Sequence, residues 1–168
     1  MAEATTEPLH LCAECARRGE TCCQRVEIYV TGGDVARIQA FTGAADFCEW
    51  RDQEDPDYYQ PEEDPTWYYG TIRADGKRRL LKQQPNGDCV MLGKAGCRLP
   101  LQVRPLVCRL YPYDYDEQGM RSVITEYCPT DLLPAGATLT DAVGISAEQA
   151  RAWHQMLYEE IRRELPCS

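Results

Sequence analysis

The chemistry of this sequence lies in its cysteines, of which there are 10 in 168 residues. Eight of them form two groups, one near the start of the chain and one in its middle. They are Cys12, Cys15, Cys22, Cys23, Cys89, Cys97, Cys108 and Cys128. Zinc and iron–sulfur clusters both commonly take four thiolate ligands. We therefore expect the two groups to meet in the fold and bind zinc or an iron–sulfur cluster, the latter of the 4Fe-4S type.

Histidine adds little to this donor set. The chain has only two histidines, His10 and His154, so any metal site is essentially all-sulfur. His10 lies two residues before Cys12 and is placed to replace one thiolate. The side chains of the neighbouring Cys22 and Cys23 point in different directions. Either only one of them is a ligand or each serves a different metal, so both one centre and two centres stay open.

Three arginines lie close to the candidate ligands in sequence. Arg98 and Arg109 directly follow Cys97 and Cys108, and Arg104 interrupts an otherwise apolar stretch. Four thiolates around a zinc ion leave a formal charge of about −2. Guanidinium groups compensate such a charge or bind an anion beside the metal. We predict this supporting role for Arg98, Arg104 and Arg109.

A secreted disulfide scaffold is the alternative explanation for an even number of cysteines. Three observations oppose it. The start of the sequence has neither the basic nor the apolar region of a signal peptide, the chain is long enough to form a core without disulfides, and Cys22 and Cys23 are adjacent. No apolar run approaches the roughly 20 residues that span a bilayer. We expect a soluble, cytoplasmic protein whose reduced cysteines bind metal.

The overall charge excludes two classes of partner. The net charge is −9 and the isoelectric point is about 4.7. Nucleic acids and anionic membranes both attract basic surfaces, so we expect neither as a partner. The stretch Glu54–Tyr69, here called the acidic aromatic segment, combines carboxylates with tyrosine and tryptophan side chains. It is predicted to be a solvated loop or, alternatively, a surface that recognises a basic segment of another protein.

Sequence periodicity predicts a single α+β domain over residues 1–168, with short β-hairpins, short helices and irregular metal-binding loops. Residues 1–11 are expected to fray, and the first cysteine group is expected in irregular backbone. Helices are predicted at residues 33–41, with Thr31 as N-cap and Gly43 at the end, at residues 45–53, from Pro105 to a stop at Pro112, and at residues 146–165.

Strands are predicted between these helices. The alternating stretch from Val26 to Val30 and the stretch from Cys89 to Leu92 each predict a short strand. One hairpin is predicted over residues 67–84 with its turn at Asp75-Gly76, and another over residues 111–127 around Gly119. The C-terminal helix is predicted to pack Trp153, Met156, Leu157, Ile161 and Leu165 into the core and to leave His154 exposed.

The cysteine pattern resembles the YkgJ-like cysteine-cluster family. The similarity covers about residues 12–128. Its most specific parts are the adjacent pair Cys22-Cys23 and the stretches 87–92 and 104–112, the latter of the form Arg-Pro-x-x-Cys-Arg-x-x-Pro. The resemblance implies a zinc- or iron-chelating domain with a CxxCxxCC signature.

The sequence departs from that signature in one place. Six residues rather than two separate Cys15 from Cys22, and a longer loop can still close on a metal at small entropic cost. Cys48 and Cys167 match no part of the pattern, so we leave them outside the site.

Three functions are consistent with these features. The surplus of thiols over four favours a metal or iron–sulfur protein with a redox, sensing or catalytic role. The alternatives are a structural zinc module that presents an interaction surface, and a role in lysine modification of a partner protein. The last is implied only by the related cysteine-cluster domain of the flagellin lysine methylases. No nucleotide-binding loop or catalytic triad motif supports another enzyme class.

Overall fold

The computed structural model describes residues 11–18, 23–24, 26–54, 61–124, 128 and 130–165. The described chain has an α+β fold, as predicted. Its helices are α1 (Leu11–Arg18), α2 (Gly32–Thr42), α3 (Pro65–Thr71), α4 (Leu106–Leu110), α5 (Leu139–Val143) and α6 (Ala147–Glu164). Its strands are β1 (Cys48–Arg51), β2 (Arg78–Leu81), β3 (Leu92–Gly93), β4 (Gly96–Cys97), β5 (Tyr113–Asp116) and β6 (Gly119–Val123). Antiparallel pairing joins β1 to β2, β3 to β4 and β5 to β6.

The long helix α6 supplies one side of the core. Ser146 caps it and accepts a hydrogen bond from the backbone N–H of Gln149, as the sequence predicts. Trp153, Leu157 and Ile161 are buried on one face, where α6 packs against α3 and α4. No helix in the described ranges is long and apolar enough to cross a membrane.

Two side chains of α6 differ from the prediction. Met156 is 38% exposed rather than packed in the core. His154 is half-buried rather than exposed, because its Nε2 lies 2.6 Å from the backbone oxygen of Asp116 on the β5–β6 hairpin. Tertiary contacts from that hairpin therefore decide which helix positions are covered.

Buried apolar side chains form two clusters. The first surrounds α6 and includes Leu106 and Leu110. The second contains Ile38, Met91 and the candidate ligand Cys89, with Cys23, Cys97 and Cys108 packed beside it. Val107, on the short helix α4, packs against both clusters. The segment that carries Cys108 therefore lies where the two halves of the core meet.

The carboxylate of Asp34 fixes that segment. Thr31 caps α2 and forms the predicted capping box with Asp34. The fully buried carboxylate of Asp34 accepts hydrogen bonds from the Thr31 N–H (3.1 Å), from Arg37 (2.7 Å) and from the backbone N–H of Leu106 (3.1 Å). Arg37 also donates to Glu160 of α6 at 2.7 Å. One carboxylate thus ties α2 to α4 directly and to α6 through Arg37.

The helix predicted over residues 45–53 is wrong. The chain there forms β1, which pairs with β2 so that Trp50 lies opposite Arg79. The guanidinium groups of Arg79 and Arg73 lie 5.0 Å and 4.5 Å from the centre of the Trp50 ring. Strand pairing and these cation–π contacts outweigh a weak local helical pattern.

The first arm of the hairpin predicted over residues 67–84 is also wrong. Its residues form α3, because Asp64 caps the helix by accepting a hydrogen bond from the Trp67 N–H at 2.9 Å, and Pro65 occupies the first turn. The Asp75-Gly76 turn is present, and Gly76 has a φ of 82°. Of the predicted pairing, the bridge between Ile72 and Arg78 and the hydrogen bond from the Arg73 N–H to the Lys77 backbone oxygen (2.8 Å) are present.

The other local predictions are closer to the observed structure. Pro105 caps α4, and β5 and β6 form the hairpin predicted around Gly119. The predicted strand over residues 26–30 is extended chain in which Tyr29 forms an isolated bridge to Leu80. The predicted strand over residues 89–92 is reduced to a bridge at Cys89 and the start of β3. Of the predicted frayed lead, only residue 11 lies within the described residues, and it begins α1.

We predict that Asp34→Ala destabilises the protein by about 3 kcal/mol, since it leaves the buried backbone N–H of Leu106 without its acceptor and removes one of the two carboxylates that pair with Arg37. The melting temperature should fall by about 6 to 12 °C. Thermal unfolding followed by circular dichroism measures this. Asp46→Ala is the matched control, because the side chain of Asp46 is 92% exposed and pairs only with Lys82, and it should leave the melting temperature unchanged. Equal melting curves for both variants would contradict the role of Asp34.

Candidate metal centre

A cavity of about 250 Å³ lies between the two halves of the core. Six of the seven cysteines whose side chains are described line it, and they are Cys15, Cys23, Cys89, Cys97, Cys108 and Cys128. The seventh, Cys48 on β1, lies outside the lining. The fold therefore brings together cysteines that are up to 113 positions apart in sequence.

Backbone contacts join the two cysteine groups. The N–H of Cys89 donates to the backbone oxygen of Cys23 at 2.7 Å, so these residues lie side by side. The N–H of Met91 lies 3.4 Å from the sulfur of Cys89 and donates to it. Such N–H···S contacts stabilise a thiolate that binds metal.

Cys97 lies at the end of β4, which packs against α1. Gly96 has a φ of 98°, and a Cβ atom at this position would lie 3.4 Å from the Cα of Ala13 on α1. Glycine therefore suits both the left-handed backbone and the close approach of the helix. This approach brings the first cysteine group to Cys97.

Cys108 is the third residue of α4. The hydrogen bond from the Leu106 N–H to Asp34 fixes the start of this helix, and the N–H of Cys108 donates to the backbone oxygen of Pro105 at 2.9 Å. Cys108 is therefore placed by the Asp34 contact that joins α2 and α4.

Four of these thiols, Cys23, Cys89, Cys97 and Cys108, lie within electrostatic reach of one another. Burial raises the pKa of Cys108 well above its usual value, and the neighbouring Cys23, Cys89 and Cys97 raise it further. Burial and the same neighbours raise the pKa of Cys89 to about 11, although the Met91 N–H opposes this. Burial and Cys23 also raise the pKa of Cys97, against hydrogen bonds from Leu99 and Arg104.

Cys15 and Cys128 form a second thiol pair in the same cavity. Burial raises the pKa of Cys15, and Cys128 and then Cys23 raise it further. The sulfur of Cys128 donates to the hydroxyl oxygen of Tyr111 at 3.7 Å. Cys23 lies within electrostatic reach of both sets of thiols and therefore connects them.

The lining suits a sulfur-ligated metal centre. Glu27 is the only carboxylate among the described residues that line the cavity, and this carboxylate accepts hydrogen bonds from Arg51 at 3.0 Å and from the Glu54 N–H at 2.9 Å. Thiols in apolar surroundings match zinc or an iron–sulfur cluster, whereas calcium and magnesium require oxygen ligands. Because burial keeps the thiols protonated at neutral pH, binding of a cation must displace their protons.

These thiols do not meet at one point. Within the described residues, no three cysteine, histidine, aspartate or glutamate side chains are arranged so that they could hold a single metal ion.

Each predicted arginine donates to a backbone oxygen near the cavity. Arg98 donates to Val90, and Arg104 donates to Leu99 at 3.0 Å and also lowers the pKa of Cys97. Arg109 is 3% exposed and donates to Arg104 at 2.7 Å and to Gln102 at 2.6 Å. Arg104 alone of the three lines the cavity, and their role toward a bound metal stays a prediction.

The structure corrects the prediction of irregular backbone around the first cysteines. Cys12 and Cys15 belong to α1 and are one helical turn apart. The side chain of Cys12, all of Cys22 and the predicted alternative ligand His10 lie outside the described residues. Sequence reasoning missed Tyr111, although it follows Cys108 closely and precedes a proline, because nothing in the sequence indicated that it contacts Cys128.

The sequence was compared with known proteins. Residues 11–129 match the model of the CxxCxxCC family, which is described as a "putative zinc- or iron-chelating domain". No curated protein matches the chain, and no solved structure matches it.

We predict that Cys108→Ser abolishes most metal binding and lowers stability, because a hydroxyl is a poor replacement for a buried thiolate ligand and because metal binding and folding are linked. Elemental analysis of the purified variant measures this. Cys48→Ser is the matched control and should retain the metal content of the native chain. Full metal content in Cys108→Ser would exclude Cys108 as an essential ligand, and metal loss in Cys48→Ser would show that the site extends beyond the cavity.

Proposed function

Because the chain belongs to the CxxCxxCC family, it is a metal-binding protein, and from this premise we propose that it holds an iron–sulfur cluster with a redox or sensing role. The proposed ligands are Cys23, Cys89, Cys97 and Cys108. A cytoplasmic location agrees with this proposal, since a reducing compartment keeps such cysteines as thiols.

One observation carries the choice of a cluster over zinc. The four thiols line one cavity, and Cys23, Cys89 and Cys97 raise the pKa of Cys108, yet no three ligands among the described residues are arranged to hold one ion. Four sulfurs around a tetrahedral zinc at 2.3 Å must lie about 3.8 Å from one another. Each thiolate of a 4Fe-4S cluster binds a different iron, so its sulfurs are spread around a larger volume.

The surroundings of the cavity support a redox function. Leu81, Met91, Leu99 and Val107 give it apolar walls, and the N–H groups of Met91 and Leu99 donate to Cys89 and Cys97. When bound, a cluster supplies one-electron transfer, and its potential depends on solvent exposure and on hydrogen bonds to the sulfurs. The chain supplies the apolar walls and holds the N–H donors in place.

The additional thiols distinguish this site from a structural one. Cys15 and Cys128 line the same cavity and exceed the four ligands that a closed structural zinc site uses. A thiol pair beside a redox centre supports a sensing role better than a structural one. Cys15 and Cys128 also occupy different segments, α1 and the stretch after β6. A chemical change at this thiol pair would therefore affect both segments.

Anaerobic purification is expected to give a brown protein with about four iron atoms and four sulfides per chain. A broad visible absorption band and elemental analysis measure this. A colourless protein with zinc and no sulfide would contradict the proposal and favour a structural zinc module.

The proposed ligand set makes a second prediction. Cys15→Ser and Cys128→Ser should keep the iron content of the native chain, because neither residue belongs to the four ligands. Iron analysis together with the visible spectrum measures this, and Cys89→Ser, which removes a proposed ligand, should lose the cluster. If Cys15→Ser lost about half of the iron, the cavity would hold two centres rather than one.

A further inference from the structure

A second cavity, of about 320 Å³, adjoins the cysteine cavity. Its lining consists mostly of aromatic and acidic side chains, and among the described residues no lysine, arginine or histidine lines it. The lining residues whose charges and ring faces determine what the cavity can bind are Glu63, Asp64, Trp67, Tyr68, Tyr113 and Asp114. We call this cavity the aromatic pocket.

Rigid elements build the aromatic pocket. The carboxylate of Asp64 caps α3 and accepts hydrogen bonds from the backbone N–H groups of Trp67 (2.9 Å) and Glu117 (3.1 Å) and from the hydroxyl of Tyr158. Trp67 stacks edge-on against the buried Tyr29, with ring centres 5.3 Å apart. Asp64 thus joins α3, α6 and the β5–β6 hairpin, so the pocket does not depend on a ligand for its shape.

The carboxylate of Asp114 distinguishes the pocket from a purely structural aromatic cluster. Asp114 is half-buried on β5 and makes no hydrogen bond or ion pair through its side chain within the described part of the chain. Arg121 interacts electrostatically with Asp114 and Glu63, but its guanidinium is paired with Asp116, with Nε to Oδ2 at 2.9 Å. The negative charge of Asp114 is therefore available to a ligand.

We propose that the aromatic pocket binds a cationic amine, which is either the ammonium group of a lysine side chain or a small alkylammonium ion. The faces of tryptophan and tyrosine rings attract cations, and this attraction increases when the cation loses water. Asp114 and Glu63 add direct charge attraction, and the net charge of −9 increases the local concentration of cations.

The position of the pocket connects it to the cysteine cavity. Trp67, Val107, Tyr111 and Tyr115 line both cavities, and Tyr111 accepts the hydrogen bond from Cys128. An amine in the aromatic pocket therefore lies one side-chain layer from the thiols. The amine site stands on its own lining and does not depend on the identity of the metal.

Isothermal titration calorimetry of the full-length protein with choline tests this proposal. The matched chemical control is 3,3-dimethyl-1-butanol, which has the same shape without the charge. Choline should bind about tenfold more tightly than the alcohol, because only the cation interacts with the ring faces and carboxylates. Equal affinity for both compounds, or no binding of choline at about 10 mM, would overturn the proposal.

Two substitutions locate the site. Asp114→Asn should weaken choline binding by about three- to tenfold, and Tyr113→Leu should weaken it by about tenfold. Glu148→Gln makes the same change of charge at an exposed position on α6, outside the pocket, and should change the affinity by less than twofold. Because Tyr113 also packs against the core, circular dichroism must show that its variant is folded; Asp114→Asn alone decides if it is not. Native affinity in folded Asp114→Asn would contradict the assignment.

A second titration identifies the source of the amine. A short peptide with one lysine is compared with the same peptide acetylated at Nε, which removes the charge. Tighter binding of the unmodified peptide than of choline would assign the pocket to a lysine side chain of another protein. Tighter binding of choline would assign it to a small alkylammonium ion, and equal binding of both peptides would exclude lysine.

Discussion

The positions of the functional segments depend on the buried carboxylate of Asp34. It accepts hydrogen bonds from its own helix cap, from Arg37 and from the Leu106 N–H, and it thereby joins α2 to the short helix that carries Cys108. Arg37 continues the connection to Glu160 of α6. A buried charge with such partners contributes to stability only while every partner is present. The same contact that holds the core together therefore also places a candidate metal ligand.

The two cavities follow from this arrangement. Helix α4 lies between the two apolar clusters, so its side chains have access to both sides, and Val107 lines both cavities. The cysteine cavity is apolar and sulfur-rich, whereas the aromatic pocket is acidic and lined by rings. A centre that carries electrons would thus lie beside a site for a cation, and Tyr111 would touch both environments. Because the two cavities share lining side chains, occupancy of one site would influence the other through these side chains.

Capping signals and turn residues made much of the local structure predictable. The Thr31–Asp34 box, Ser146 at the start of α6 and the hairpin around Gly119 were all recognised from sequence, because each depends on contacts within a few residues. The strand at Trp50 was missed since it needs arginines far along the chain. The meeting of the two cysteine groups at one cavity agrees with the sequence expectation, while the roles of these cysteines as metal ligands stay a prediction. The aromatic pocket could not be predicted, because its walls come from α3, the β5–β6 hairpin and α6 and meet only in the folded protein.

X-ray absorption at the metal edge of anaerobically purified protein distinguishes an iron–sulfur cluster from a zinc site. We expect an iron edge with a first shell made of sulfur and a second shell of iron neighbours, since each thiolate of a cluster binds a different iron. A zinc edge with about four sulfurs at 2.3 Å and no metal neighbour would contradict it. Such a spectrum would show that the thiols converge on one ion and that the site is structural.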